Sequence, residues 1–465
     1  MKNTSQTTPK KQDIFADDSI VTKKSQNGSK SQLKMSEKLK QIKVEAASEA
    51  DIPLRLTYQN TQNETELKLV SNYPPAGDQP RVIDEIVESL RSGRSEQTIK
   101  GVTGCGKTFI MANVISQLQR PALILAHNKT LAAQLAEEFT KFFPNNSVHY
   151  FVSYYDYYQP ESYIAKSDTY IEKQTQINDD IDKLRNSSTQ SLLTRKDTII
   201  VASVSCIYGL GSPADYNDLK ITLNKGYEYS IDKLIRRLVT IQFDRTPLDL
   251  KRGFFRVRSQ ILEVMPTGDD VAYRFSFWGD ELESIDVFDP ITNDILTSLE
   301  TYTIFPAKQY VTTQDKIKSA IPIIQSDLNR RVEMLQSTGL LLPAERLKQR
   351  TISDLEMLET VGYCSGIENY SSYFDGRLEG EPPSTLIDFF PHDFLTFIDE
   401  SHITLPQIGA MYAGDRSRKN SLVEYGFRLP SAYNNRPLKR DEFFGKLGQV
   451  IYVSATPGKF EMGVD

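Results

Sequence analysis

The sequence runs to 465 residues, too long for one hydrophobic core, so two to four domains are expected. Its 39% hydrophobic and 25% charged content is ordinary for a globular chain, and a net charge of −6 removes any global electrostatic case for nucleic acid, leaving only local patches. Cys105, Cys206 and Cys364 have neither metal-like spacing nor the number for a disulfide framework, no apolar run nears the roughly 18 residues of a membrane span, and MKNTSQTTPKKQ lacks a signal-peptide core, so a cytoplasmic protein with no membrane contact is expected.

Residues 1–62 are rich in Lys, Ser and Gln and poor in aromatics, which predicts a disordered tail. From residue 63 the texture is that of an α/β domain. TIKGVTGCGKTFIMANVISQLQ reads as strand, glycine-rich turn and helix, and ALILAHNKTLAAQLAEEFTKFF repeats the pattern. DTIIVASVSCIYG adds another β-rich run, and together these predict a parallel sheet covered by helices. Over 217–307 the period changes to two, as in FFRVRSQILEVMP and VAYRFSFWGDELESIDVFD, which predicts a small inserted antiparallel domain. Residues 308–390 read as a helical subdomain, and 391–465 return to short apolar strands that complete the first sheet.

GVTGCGKT at 101–108 fits G-x-x-x-x-G-K-[ST] between a strand and a helix. The backbone of Gly101, Val102, Thr103, Gly104, Cys105 and Gly106 would cradle phosphates at a helix start. Lys107 would reach the β- and γ-phosphates of ATP, and the Thr108 hydroxyl would bind Mg²⁺. In FLTFIDESH an apolar strand delivers Asp399 to the metal and Glu400 to an attacking water. An Asp-Glu pair can equally be a solvated strand end; the loop upstream and VSATP downstream favour the catalytic reading. Gln79, in YPPAGDQP, offers the donor and acceptor that an adenine edge needs, although a glutamine there can also be a simple turn residue. His127, His149, His392 and His402 are scattered, and no zinc site is expected.

YYDYYQPESY, residues 154–163, crowds tyrosines whose rings want burial and whose hydroxyls want partners. In an extended chain Tyr154 and Tyr158 face one way and Tyr155 and Tyr157 the other, more aromatic surface than one core readily takes. A core or protein interface remains one reading, and a two-sided wedge with one face on protein and one on nucleotides the other.

With GVTGCGKT, DESH and VSATP in this order the chain resembles a superfamily 2 helicase core: an α/β fold with a RecA-like parallel-sheet P-loop domain. YPPAGDQP, LAHNKTLAAQLAEEF, YFVSYYDYYQPESY, SYIAKSDTYIEK, DDIDKLR, IIVASVSCIYGLGSP, RGFFRVRSQILEVMP and YGFRLPSA extend the resemblance to the UvrB family, the damage-verifying subunits of bacterial nucleotide excision repair, from about residue 66 onward. The resemblance implies a first motor domain over 63–150, continued over 174–216 and 391–465. A hairpin over 150–173 would project from it, with damaged double-stranded DNA opened so that one strand threads behind it. Tyr154, Tyr155, Tyr157, Tyr158, Tyr163 and Tyr170 would line that path, and Glu161, Lys173 and Arg185 would lock or contact a strand. The inserted domain would dock UvrA through Arg245, Arg256 and Arg258, whose guanidinium forks suit partner carboxylates; by alternation alone, Arg256 and Arg258 are an ordinary solvent face.

Two departures from the family pattern stand out. Cys105 takes a position where threonine is expected, and VSATPGKFEMGVD is where a second RecA-like domain would begin. The arginine-bearing motifs of that domain and the part that meets UvrC would then be missing, and loss of an arginine finger costs about 10³ to 10⁵ in rate, so little ATP turnover is expected of this chain by itself. Two other readings stay open: a repair-coupling type of superfamily 2 translocase, and a non-catalytic module that holds UvrA or DNA.

Overall fold

The computed structural model describes residues 66–463, and the tail expected over 1–62 lies outside them. The helix Gln79–Arg91 precedes β1 (Glu96–Lys100), the helix Lys107–Leu118, β2 (Ala122–Ala126), the helix Lys129–Phe142 and β3 (Ser147–Phe151). Four short strands follow, β4 (Tyr155–Gln159), β5 (Ser162–Ile164), β6 (Thr169–Ile171) and β7 (Gln174–Ile177), then the helix Asp179–Thr194 and β8 (Thr198–Ser203). A long insertion comes next. It holds the helix Ile231–Thr240 with β9 (Ile221–Asn224), β10 (Asp244–Arg245), β11 (Phe254–Arg258), β12 (Ile261–Met265), β13 (Ala272–Trp278), β14 (Glu281–Phe288), β15 (Ile295–Leu299) and β16 (Thr301–Ile304), then the helices Gln314–Ser337 and Leu341–Val361. β17 (Leu395–Asp399), the helix Ser401–Glu424 and β18 (Gln449–Ser454) complete the main sheet.

That sheet has the order β1-β18-β17-β2-β8-β3, and every neighbouring pair is parallel. Parallel strands covered on both faces should read as unbroken apolar runs, and ALILA and TIIVAS are buried at every position. The pleat sorts them. Ile124 and Ala126 pack with Ile110, Met111 and Val114 from the helix Lys107–Leu118, while Leu123 and Leu125 pack with Leu405 and Ile408 from the helix Ser401–Glu424. Because β17 and β18 slot between β1 and β2, segments separated by some 300 residues meet at one edge.

The inserted domain is a six-stranded sheet, β10 to β15 in order, on which the helix Ile231–Thr240 lays Leu234 and Leu238. β9 and β16 pair antiparallel, Ile221 with Ile304 and Asn224 with Thr301, so the chain enters and leaves through a two-stranded neck. The two long helices that follow pack Ile317, Ala320, Ile324 and Leu328 against Leu347, Leu355 and Leu358. Leu429 of YGFRLPSA joins this helical cluster rather than the motor sheet, a departure from a motor segment running unbroken over 391–465.

The hairpin also differs from a 150–173 span. Residues 147–151 form the outer strand β3, where the Tyr150 hydroxyl donates to Lys129 O at 2.9 Å. The arms are β4 with β7 and β5 with β6, so the hairpin runs over 155–177. The pairing of β4 with β7 shifts register between Tyr155 and Tyr157. Among the described residues, no helix is long and apolar enough to cross a membrane and no group of three or more His, Cys, Asp or Glu could hold a metal.

Candidate nucleotide site and hairpin clasp

β1 ends in the loop 101–106, β17 ends in Asp399 and β18 ends in Ser454, and the register sets Lys100 beside Ser454 and Asp399 beside Val453. The carboxyl ends of these strands form the edge where α/β proteins take ligands. Gly104 and Gly106 have φ of 83° and 82°, a left-handed backbone that other residues enter only with strain. Val102, Thr103 and Gly104 are exposed, Cys105, Gly106, Lys107 and Thr108 half-buried, and Lys107 and Thr108 begin the helix Lys107–Leu118. Lys107 Nζ donates to Gly101 O at 3.1 Å and Val102 O at 3.4 Å, so its charge lies over the loop. A Cβ on Gly101 would stand 2.6 Å from Cys105 Sγ.

Asp399 is 6% exposed. Its carboxyl is pushed up to about 6, first by burial and then by the neighbouring charge of Glu400; Lys107 pulls it down but does not win. Glu400 has a left-handed backbone, φ 41°, at the start of the helix Ser401–Glu424. This loop of buried acid, lysine and glycine backbone fits a polyphosphate carrying a divalent cation. Gln79 is placed differently from an open adenine reader. Its Nε2 donates to Cys105 O at 2.9 Å and its Oε1 accepts from Ala76 N at 3.0 Å, so the amide braces the loop. One N–H and one lone pair are left over for a ligand.

Several members of this edge have partners that no local sequence motif records. His402 Nδ1 lies 2.8 Å from Ser454 Oγ and 3.5 Å from Glu400 Oε2, and its Nε2 lies 3.5 Å from Thr456 Oγ1. Ser401 Oγ donates to Glu461 Oε1 at 2.8 Å, and Thr98 Oγ1 donates to Glu461 O at 2.8 Å. VSATP thus touches the acidic strand end through a histidine that spacing alone left among scattered residues.

At the hairpin, Glu161 is buried against Arg428, whose Nε donates to Oε2 at 2.9 Å, and it accepts the Tyr170 hydroxyl at 2.6 Å. Burial by itself would raise this carboxyl; the charge and hydrogen bond of Arg428, helped by Tyr170, hold it below the usual range. Arg418 donates to Glu161 O at 2.7 Å, and Lys173 Nζ reaches Glu368 Oε1 at 3.2 Å. The Tyr170 ring stacks on Phe427 at 4.4 Å and the Tyr163 ring meets the same Phe427 at 4.9 Å. These two tyrosines, paired across β5 and β6, both pack on Phe427 in this structure. Tyr155, Tyr157 and Tyr158 lie on β4, and Tyr154 just before it.

Arg185 departs from a strand-contacting role in this state. It is 5% exposed, donates to Val152 O at 2.7 Å, and holds its guanidinium over Phe151 and Tyr154 at 3.9 and 4.9 Å. Arg256 likewise is not simply a free fork: it pairs with Glu263, which Arg274 also meets at 2.8 Å, and donates to Leu248 O at 3.2 Å. Glu263 sits directly across the strand pair from Arg256, which is why the two meet. Arg245 and Arg258 are exposed.

Residues 221–310 match the UvrB interaction domain, residues 315–376 the UvrB third helical domain, and residues 72–202 the res subunit of type III restriction enzymes, a helicase-type nucleotide-binding region. The chain is 56% identical over 398 residues to UvrABC system protein B of Clostridium botulinum (strain Loch Maree / Type A3), covering 85% of this chain and 60% of that protein. The protein of the same name from Caldicellulosiruptor bescii is 56% identical over 398 residues, again 85% and 60%, and that from Streptococcus agalactiae serotype Ia is 54% identical over 397 residues, 85% and 60%. The chain thus spans about 60% of the length of these curated relatives.

Proposed function

We propose that over the matched residues the chain is a member of the UvrB family and acts as the ATP-dependent damage-verifying subunit of nucleotide excision repair. The observation that carries this reading is the hairpin rooted on β3 of the same sheet whose opposite strands hold the loop 101–106 and Asp399. A nucleotide site and a strand-separating element on one rigid sheet are what a device that tests DNA with ATP needs.

In this reading the backbone of Gly101 to Gly106 and the Lys107 ammonium hold the phosphates of ATP, while Thr108 and Asp399 hold Mg²⁺. The metal would supply charge neutralisation on the phosphates. Glu400 orients the attacking water, and His402 ties Glu400 to Ser454 and Thr456, so that a change at the phosphates is felt along β18. Gln79 uses its spare N–H and lone pair for the adenine edge.

Tyr154, Tyr155, Tyr157 and Tyr158 supply stacking surface for the threaded strand, worth about 1–3 kcal/mol per base and indifferent to sequence. Tyr163, Tyr170, Glu161 and Lys173 close the hairpin onto the helical subdomain and part to admit DNA, and Arg185 stiffens its base. The inserted domain docks UvrA through the exposed Arg245 and Arg258, with Arg256 held in place by Glu263, and UvrC acts after the strand has been tested.

Lys107→Ala is the test. Removing a charge-assisted contact should lower ATP affinity by about 10- to 100-fold while UvrA affinity is unchanged. Wild-type ATP affinity in this variant would refute the nucleotide site, and loss of UvrA binding would refute its separation from the dock.

A further inference from the structure

The helix Asp179–Thr194 leads from the hairpin back into the sheet, and its first turns are gripped from two directions. The hairpin base holds one side. The Asn178 amide donates to Tyr154 O at 2.8 Å, and the Asn178 side chain caps the helix by accepting from Asp180 N and Ile181 N at 3.1 and 3.0 Å. Arg185 then reaches Val152 O and the rings of Phe151 and Tyr154.

The inserted domain holds the other side. Lys183 Nζ, on a side chain only 4% exposed, donates to Asp270 Oδ2 at 2.7 Å. Arg252 donates to Asp270 Oδ1 at 2.6 Å and reaches Asp180 Oδ1 at 3.3 Å. The turn bearing Asp270 is pressed onto the helix, since a Cβ on Gly268 would stand 2.5 Å from Gln190 Oε1 and 3.2 Å from Ser187 N. Burial opposes ionisation of Asp270, yet the hydrogen bonds from Lys183 and Arg252 hold its carboxyl below the usual range.

Residues two apart on a helix point to different sides, so Lys183 and Arg185 address different neighbours from a single turn. Asn178 to Arg185 spans about 10 Å, short enough for the element to move as one body. Breaking a largely buried charge pair strands its partner, so this joint is made or unmade and not gradually stretched.

We propose that Lys183, Arg252 and Asp270 are positioning residues that couple the inserted domain to the hairpin base through the helix Asp179–Thr194. The coupling builds on the reading of the inserted domain as the UvrA dock and of the hairpin as the strand gate. By linkage, if UvrA changes the affinity for a threaded strand by some factor, a threaded strand changes UvrA affinity by the same factor.

Hydrogen exchange on the full chain tests it, with Lys183→Met, Asp270→Asn, the double variant, and Arg252→Gln as the mildest change. Without any partner, the amides of Asn178 and β7 should exchange about tenfold faster in each of the first two, with β2 and β8 unchanged and the double variant no faster than either. Arg252→Gln should give the same pattern at smaller amplitude. With UvrA, wild type should change its exchange at β7, and Asp270→Asn should keep UvrA affinity but lose that response. Unchanged hairpin amides, or acceleration shared equally by β2 and β8, would overturn the coupling. Failure of wild type to bind UvrA would instead count against the dock, and the partner-free measurement would still decide the joint.

Discussion

Asp399 and Glu161 are both carboxylates withdrawn from water, 6% and 7% exposed, and the protein treats them in opposite ways. Glu161 receives an arginine at 2.9 Å and a tyrosine hydroxyl at 2.6 Å, so its charge is fully answered inside the chain. Asp399 receives too little: burial and Glu400 outweigh Lys107, and its carboxyl rises to about 6. A buried acid that is satisfied makes a clasp, whereas one that is short of positive charge makes a place for a cation to arrive. The hairpin end of the molecule is therefore built to hold shut, and the nucleotide end to be completed by a ligand.

The largest way to break this contrast is Arg428→Met. It leaves Glu161 buried without its cation and deprives Asp354, 3.7 Å from Arg428 Nη1, of a neighbour. A cost of about 3–5 kcal/mol is expected in chemical denaturation. Glu161→Gln should cost less, because the neutral amide still accepts from Tyr170. A loss below about 1 kcal/mol for Arg428→Met would mean that the hairpin is not clasped in solution.

The pH dependence of the two acids runs in opposite directions. Glu161 has a lowered carboxyl, so its stabilisation is present above the unfolded carboxylate range and disappears as pH falls through its folded value. Asp399 is raised from 3.8 to about 6, so ionisation is disfavoured in the fold and its contribution worsens as pH climbs through that window. Asp399→Asn should therefore stabilise the ligand-free chain by about 1–3 kcal/mol at neutral pH and leave it unchanged well below pH 4. Unfolding free energies of the two proteins from acid to neutral pH check this; a constant difference between them would contradict the assignment.

How much of this was legible in the sequence depended on how far apart the partners lie. GVTGCGKT carries its glycines, lysine and threonine within eight positions of one strand-to-helix turn, and the apolar runs of ALILA and TIIVAS announce a parallel sheet. The pairing of Glu161 with Arg428 spans 267 positions and that of His402 with Ser454 spans 52, and no local pattern records either. They exist because β17 and β18 insert between β1 and β2, a consequence of topology. The hairpin limits were misplaced for a milder reason: SVHYF continues the tyrosine-rich texture while belonging to the sheet. The chemistry of Gln79 suits an adenine edge or a turn, and nothing in YPPAGDQP records that its amide also donates to Cys105 O, 26 positions away.

The partner of Arg256 was within reach of local reasoning. Only Ser259 and Gln260 separate β11 from β12, and a two-residue turn fixes the register as Arg258 opposite Ile261 and so Arg256 opposite Glu263. That register separates two arginines that composition treats alike, and it sets the smallest effect expected here. Arg256→Glu would face the buried Glu263 with a second carboxylate and should cost about 1–3 kcal/mol, so any fall in UvrA binding would be mixed with damage to the domain. Arg258→Glu changes an exposed strand end and should shift stability by less than about 0.5 kcal/mol. If Arg258 docks UvrA, that variant should lose affinity by about tenfold or more at unchanged stability, because a guanidinium facing a partner carboxylate becomes a like charge. Unchanged affinity in Arg258→Glu, measured beside its denaturation curve, would make the R-V-R strand an ordinary solvent face and leave the dock to other residues.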